Sequence, residues 1–420
     1  MSIYSLENLL KNPKFLEVSN KIYNVPTNQA AKRLASLYEI HSKKFNSDKD
    51  TSIFSSPGRI EVAGNHTDHN NGKVICAAVS VDLLAVVNPI NGKIIVDSVG
   101  YPLVEVDIND LDVKEDEYGT SEALVRGVLK GFIDRGFKIG GFYATTTSDI
   151  FKGAGMSSSA AFEVLICEIL NVYYNESKIK DVDKAIISQY AENVYFGKPS
   201  GLMDQSAIAF GGISYIDFKD SKNPLVTKMN WEFDNLDVCV INCGGDHSDL
   251  IDDYAFIRSE MEQVADFFNK EKLRFVDEDE FYKNIPQMLE KKFAGRALLR
   301  AIHYFEENKR VEKIMDAIKT NDEEMFLSLI TSSGLSSYMK LQNVHSPNDR
   351  SQPIPLALAL SEKFGASAYR VHGGGFAGTI LVFITLDKEK EFTKKMSQVF
   401  GLENIYSLKI RNFGACKLDI

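Results

Sequence analysis

Gly153-Ala154-Gly155-Met156-Ser157-Ser158-Ser159-Ala160-Ala161 lies between a run rich in β-branched and aromatic residues, Gly141–Thr147, and an apolar helical pattern, Ala160–Tyr174. Strand, loop and helix in that order make an anion cradle. Glycines let the backbone approach an anion, serines add hydroxyl donors, and the helix start offers free N–H groups and the positive end of its dipole. A serine-rich helix cap is the simpler local reading. Two flanking glycines and three consecutive serines exceed what a cap needs, and favour a phosphate cradle over Gly153, Gly155, Ser157, Ser158, Ser159 and Ala160. The chain contains no G-x-x-x-x-G-K-S/T, which excludes a P-loop NTPase.

Around this loop the pattern mixes helix and strand without a regular βαβ period. Residues 1–50 read as helical, with Leu34, Leu37 and Ile40 at helical spacing. Strands are expected from Ile53 to Ile108, including Lys73–Val87 and Lys93–Val99 about the turn Asn91-Gly92. Helices follow at Ser121–Arg135, Ala160–Tyr174, Lys184–Tyr195, Ile251–Phe268 and Gly295–Lys319, with a strand at Leu236–Asn242. The end alternates helix Pro355–Phe364, strands Ala368–Val371 and Thr379–Ile384, helix Lys388–Phe400 and a last strand or two. The expected class is α+β. A chain of 420 residues exceeds one comfortable core, and a boundary is expected at residues 205–220, dividing domains 1–210 and 211–420.

Composition narrows the function. With 48 Lys+Arg against 58 Asp+Glu the formal charge is −10, and no basic stripe appears, which disfavours nucleic-acid binding. The most apolar stretch, Val74 to Ile90, is interrupted by Ser80, Asp82 and Asn88 and falls short of the ~20 apolar residues of a membrane span. The start of the chain has no basic segment followed by an apolar one, and the five cysteines are an odd number set in apolar runs. Both point to a reducing, cytoplasmic setting. Cys239 and Cys243 lack a second pair to complete a zinc site. Nothing in the sequence separates a monomer from a dimer.

Three further segments carry chemistry. Pro57 to Asn70 gathers Arg59, Asn65, His66, Asp68 and His69, groups suited to a polyhydroxylated ligand. Arg370 to Gly378 contains Gly373-x-Gly375-x-x-Gly378, the spacing of a dinucleotide fingerprint. A strand follows it rather than a helix, so a glycine turn beside a ligand fits better. Gly201-Leu202-Met203-Asp204-Gln205 ends a stretch broken by Gly197 and Pro199, and Asp204 is a candidate base for a sugar hydroxyl.

In order and spacing these segments resemble the motifs of the small-molecule kinases that include galactokinase, homoserine kinase and mevalonate kinase, the GHMP family, and within it the galactokinases. The family's P-G-R-x-x-x-x-G-E-H-T-D-Y-N-x-G corresponds to Pro57–Gly72, G-x-G-L-S-S-S-A to Gly153–Ala160, G-I-M-D-Q to Gly201–Gln205, and G-G-G-F-G-G to Gly373–Gly378. The resemblance implies a two-domain fold, with an N-terminal ribosomal-protein-S5-like domain, a C-terminal ferredoxin-like domain and the active site in the cleft between them. It implies ATP-dependent phosphorylation of the C1 hydroxyl of galactose, with the sugar and ATP as partners. By the same resemblance Arg59 and Asp204 are catalytic, and Asn65, His66, Asp68, Gly201 and Tyr254 contact the sugar. Ser159 and Glu192 hold Mg²⁺, and Gly373, Gly374 and Gly375 form the glycine-rich motif.

Two departures stand out. Asn65 occupies the position of a glutamate that contacts the sugar's C6 hydroxyl in the family, and His69 that of a tyrosine. Both also resemble kinases of galacturonic acid, where a neutral donor would suit a C6 carboxylate. A 1-kinase for galacturonate or another C6-modified hexose, and a non-catalytic sugar sensor, are therefore the alternative readings. The tryptophan-bearing segment before the family's phosphate loop is replaced by Ser121–Gly127.

Overall fold

A computed structural model describes residues 4–45, 50–150, 155–198, 200–244, 251–345, 350–376 and 378–420. Among them the strands are β1 (Ser52–Ala63), β2 (Lys73–Ile90), β3 (Lys93–Ser98), β4 (Val104–Asp107), β5 (Gly141–Ser148), β6 (Ile213–Asp217), β7 (Leu225–Met229), β8 (Leu236–Asn242), β9 (Ala368–Val371), β10 (Thr379–Thr385), β11 (Ile405–Leu408) and β12 (Cys416–Leu418). They form two sheets. The larger has the order β12-β1-β2-β5-β3-β4, with β6 joined to β2 and β7 to β6; the smaller has the order β11-β8-β10-β9. The expected α+β class is what the chain adopts.

β2 is the axis of the larger sheet. Its near-continuous apolar run is buried on both faces, because it pairs with β1, β5 and β6 and is covered by helices. Helix Ser158–Tyr174, apolar around most of its circumference, packs under β1 and β2 and is buried from Ala160 to Asn171 apart from Phe162. On the other side, helices Leu6–Lys11, Pro13–Ile22 and Thr27–Ser42 bring Leu9, Phe15, Leu34 and Leu37 onto Ile53, Leu84 and Val86. Arg33 from this layer reaches Asp82, an ion pair that fixes the helices to the sheet.

Pro57-Gly58-Arg59 belongs to buried strand β1, within the stretch expected to form strands, and Pro57 is accommodated by a register shift in the β1–β2 ladder between Pro57 and Gly58. Several details differ from the sequence expectation. β6 and β7 extend the larger sheet beyond residue 210, and β12 returns to it from the end of the chain, so the sheets do not divide at 210/211. Helices Glu278–Glu290 and Glu323–Ser336 were not expected. The helix expected over Lys184–Tyr195 instead runs Asp181–Tyr190 and loosens into a π-type turn at Ala191–Tyr195.

Candidate active site

β1 delivers Arg59, the start of helix Met203–Phe210 delivers Asp204, and the phosphate loop delivers Ser157. These three meet. Arg59 Nε donates to Asp204 Oδ1 at 2.7 Å, Arg59 Nη1 donates to the carbonyl of Gly155, and Ser157 Oγ donates to Asp204 Oδ2. Burial pushes the Asp204 carboxyl up, but the adjacent guanidinium and both hydrogen bonds outweigh it. The net shift is below the ordinary value, and Asp204 is a carboxylate at neutral pH. Ser157 takes a left-handed backbone conformation, φ 58°, at the start of its helix.

This cluster sits on the wall of a cavity of about 460 Å³, lined also by Gly155, Ser158, Ser159, Lys198 and the turn Gly373–Gly375. A second cavity, about 940 Å³, adjoins it through Lys198 and Tyr254. It is lined by His66, Asp68, His69, Gly201, Arg258 and Lys272. The first has the serine hydroxyls and helix start of a phosphate site; the second has the mixed polar lining of a sugar site.

Most of the expected sugar contacts line the second cavity. His66, at φ 57°, places Nε2 2.9 Å from the carbonyl of Gly374; burial lowers its pKa to about 4, so the ring is neutral and Nε2 is the donor. Burial, with Asp204 and Glu61 nearby, raises the Asp68 carboxyl to about 6. Tyr254 donates from its hydroxyl to Gly375 O at 2.9 Å, and its ring leaves no room for a Cβ at Gly374, which would stand 2.4 Å away. Gly373 and Gly375 have positive φ, so the turn between β9 and β10 needs glycine there.

Asn65 is the exception. It is fully buried and lines neither cavity. Its Nδ2 donates to Glu61 Oε1 (2.9 Å) and Gly373 O (2.7 Å). Its Oδ1 accepts from Asn343 Nδ2 (2.8 Å) and Ser337 Oγ (3.2 Å). Every hydrogen-bonding position of this amide is taken by protein, so no group of Asn65 is left facing the sugar cavity. The carboxylate of this region is Glu61, paired inside the protein with Arg370 at 2.6 Å. Neither Glu61 nor Arg370 was singled out from the sequence.

Ser159 Oγ donates to Glu192 Oε1 at 3.1 Å, so the two residues expected to hold a metal are brought together. Glu192 is 2% exposed and also accepts from Lys198, Ser200 and Gln205. No cluster of three or more acidic, histidine or cysteine ligands occurs among the described residues. One carboxylate and one hydroxyl match the sparse protein share that Mg²⁺ takes when phosphate and water complete its shell. Beside them, burial and the Glu192 charge push the Glu163 carboxyl well up, and its Oε1 has no partner among the described residues. Lys198 was also missed; a lysine between glycine and proline reads as a solvated turn residue. Gly153 lies outside the described residues.

The profile of the GHMP kinases N terminal domain matches residues 123–212, and that of the galactokinase galactose-binding signature matches residues 39–89. A galactokinase of Pyrococcus furiosus is 30% identical over 336 residues, covering 80% of this chain and 89% of that protein. One of Clostridium tetani is 28% identical over 352 residues, 83% and 88% of the two chains. In three dimensions the chain is similar to Lactococcus lactis galactokinase complexed with galactose, with a TM-score of 0.79 at 22% identity over 92% of this chain and all of that one. It is also similar to the mevalonate kinase of Methanococcus jannaschii, with a TM-score of 0.62 at 18% identity over 87% and 99%. With these relatives, the ordered motifs and the two-cavity site, the chain belongs to the galactokinase family of GHMP kinases.

Proposed function

We propose that this protein transfers the γ-phosphoryl group of ATP to the anomeric hydroxyl of galactose, giving galactose 1-phosphate and ADP. The observation that carries this reading is the Arg59–Asp204–Ser157 cluster on the phosphate-cavity wall, with the sugar cavity adjoining. The galactose-binding signature spans the strand and loop that supply Arg59, His66 and Asp68. The C1 oxygen attacks the γ-phosphorus, a new O–P bond forms, and the bond to the bridging oxygen of ADP breaks. Asp204 accepts a hydrogen bond from the C1 hydroxyl and aims it. Its lowered pKa suits late proton transfer, once bonding to phosphorus has acidified the hydroxyl. Arg59 stabilises charge on the phosphoryl oxygens as it moves. Ser159 and Glu192 would hold Mg²⁺, which when bound neutralises charge on the ATP oxygens.

Galactose is favoured over galacturonate. The uronate reading needs the Asn65 amide to face C6, and that amide is held by Glu61, Gly373, Ser337 and Asn343. The test is ADP release with Mg-ATP, galactose and galacturonate being compared at equal concentration, with ³¹P NMR of the product. An anomeric phosphate formed from galactose supports the reading. Turnover confined to galacturonate, or silence with both sugars, would sink it.

A further inference from the structure

Lys198 lines both cavities, and no step described above uses it. Its main chain is pinned. The backbone N–H donates to Glu192 O at 3.1 Å, Ser200 on the same loop donates to Glu192 and Asn193, and Gly197 lies against the Tyr118 ring. The side chain is different: it is 57% exposed and ends on Glu192 Oε1 at 2.9 Å, the oxygen that also accepts from Ser159. Among the described residues of the phosphate cavity, Arg59 and Lys198 supply the positive charge, since burial and the neighbouring arginines hold His372 neutral. Arg59 is buried and already balanced by Asp204. Lys198 alone has both a free stem and a partner that another cation could take over.

We propose that Lys198 is a second phosphate-binding cation of this site: it occupies Glu192 Oε1 in the nucleotide-free protein and moves onto the β/γ-phosphate oxygens when Mg-ATP arrives. The exchange conserves charge. Glu192 gives up an ammonium and gains a metal cation, and the ammonium gains phosphate oxygens in return. Glu192 Oε2 stays held by Gln205 at 2.8 Å and Ser200 at 2.6 Å throughout, so the carboxylate is already aimed. The lysine thereby supplies from the Gly197–Gly201 turn what a P-loop supplies from its own lysine. The inference rests on the kinase reading of the site.

Lys198→Met and Lys198→Arg, compared with wild type, test it by calorimetric titration of the non-hydrolysable imido analogue of ATP with Mg²⁺, and separately of Mn²⁺ alone. Lys198→Met is expected to weaken the analogue on the order of 10- to 100-fold. The same variant is expected to bind Mn²⁺ several-fold more tightly, because the competitor for Glu192 is gone; Lys198→Arg should restore much of the analogue affinity. A mere brace for the loop would lose affinity for both probes and lower Tm, which would overturn the proposal, as would unchanged affinity for the analogue. Wild-type protein that phosphorylates no sugar, yet shows the opposed shifts in Lys198→Met, would reject the kinase reading and leave the phosphate contact standing.

Discussion

A Cβ on Gly201 would stand 1.8 Å from Oδ2 of Asp68, so the glycine before the Leu202–Gln205 turn exists to leave room for a carboxylate from the sugar loop. Gly201→Ala therefore has to push Asp68 out of position, because the obstructing atom is the carboxylate oxygen proposed to meet the sugar. The expected outcome is a rise of about tenfold or more in KM for the sugar, with KM for ATP nearly unchanged. Steady-state kinetics with each substrate varied in turn checks the split.

Asp204→Asn keeps the shape of the side chain and removes the charge that balances Arg59. Turnover should fall on the order of 10³-fold while nucleotide affinity stays within a few-fold. A kcat close to wild type would take Asp204 out of the chemistry.

Asp68 titrates at about 6, raised by burial and by the charges of Asp204 and Glu61. In the proposed sugar-binding role its carboxylate accepts hydrogen bonds from sugar hydroxyls, so kcat/KM for the sugar should rise with pH through about 6, and Asp68→Asn should remove that limb. Stability has the opposite sign. A carboxyl whose folded pKa lies above its unfolded value stabilises the fold below pH 4 or so and loses that contribution as pH rises through about 6. Asp68→Asn should thus be more stable than wild type at pH 8, by up to about 3 kcal/mol, with little gain at pH 4. Urea unfolding at the two pH values measures it.

Asn65→Asp swaps a donor for an acceptor against Glu61 Oε1 and Gly373 O. We expect a loss of about 2 to 4 kcal/mol at neutral pH. The new buried carboxyl sits beside Glu61, so its folded pKa is raised and the loss should shrink as the pH falls. Relative kcat/KM for galactose and galacturonate should not change. A changed sugar preference in a fully stable variant would put residue 65 back at the sugar.

Much of the site is legible in the sequence because its local chemistry is unusual. Three serines between glycine and a helix, and a glycine run between two strands, have few readings, and both fall where expected. Asn65 is different. Which way a loop amide points is decided by Ser337 and Asn343, nearly three hundred residues away, and no local pattern encodes that meeting. Arg59 falls in the stretch read as strand even though Pro57 and Gly58 precede it; the register shift in β1 is what lets them stay in a buried strand. β6 and β7 are short, and β7 is half exposed, so neither shows a clear alternation. Lys198 was passed over because a single lysine carries no periodicity.

β12 pairs Ile53, Phe54 and Ser55 of β1 with Leu418, Lys417 and Cys416, and Arg411 donates to Ser55. The strand that carries Arg59 therefore keeps one edge unpaired until a segment more than 350 residues further along the chain has been made. A nascent chain holding the sugar loop and the phosphate loop would still expose that edge, a ready template for pairing with a neighbouring chain. This stretch of β1 is thus paired by a segment synthesised long after both loops, and the time between those two events is when its edge is open to aggregation.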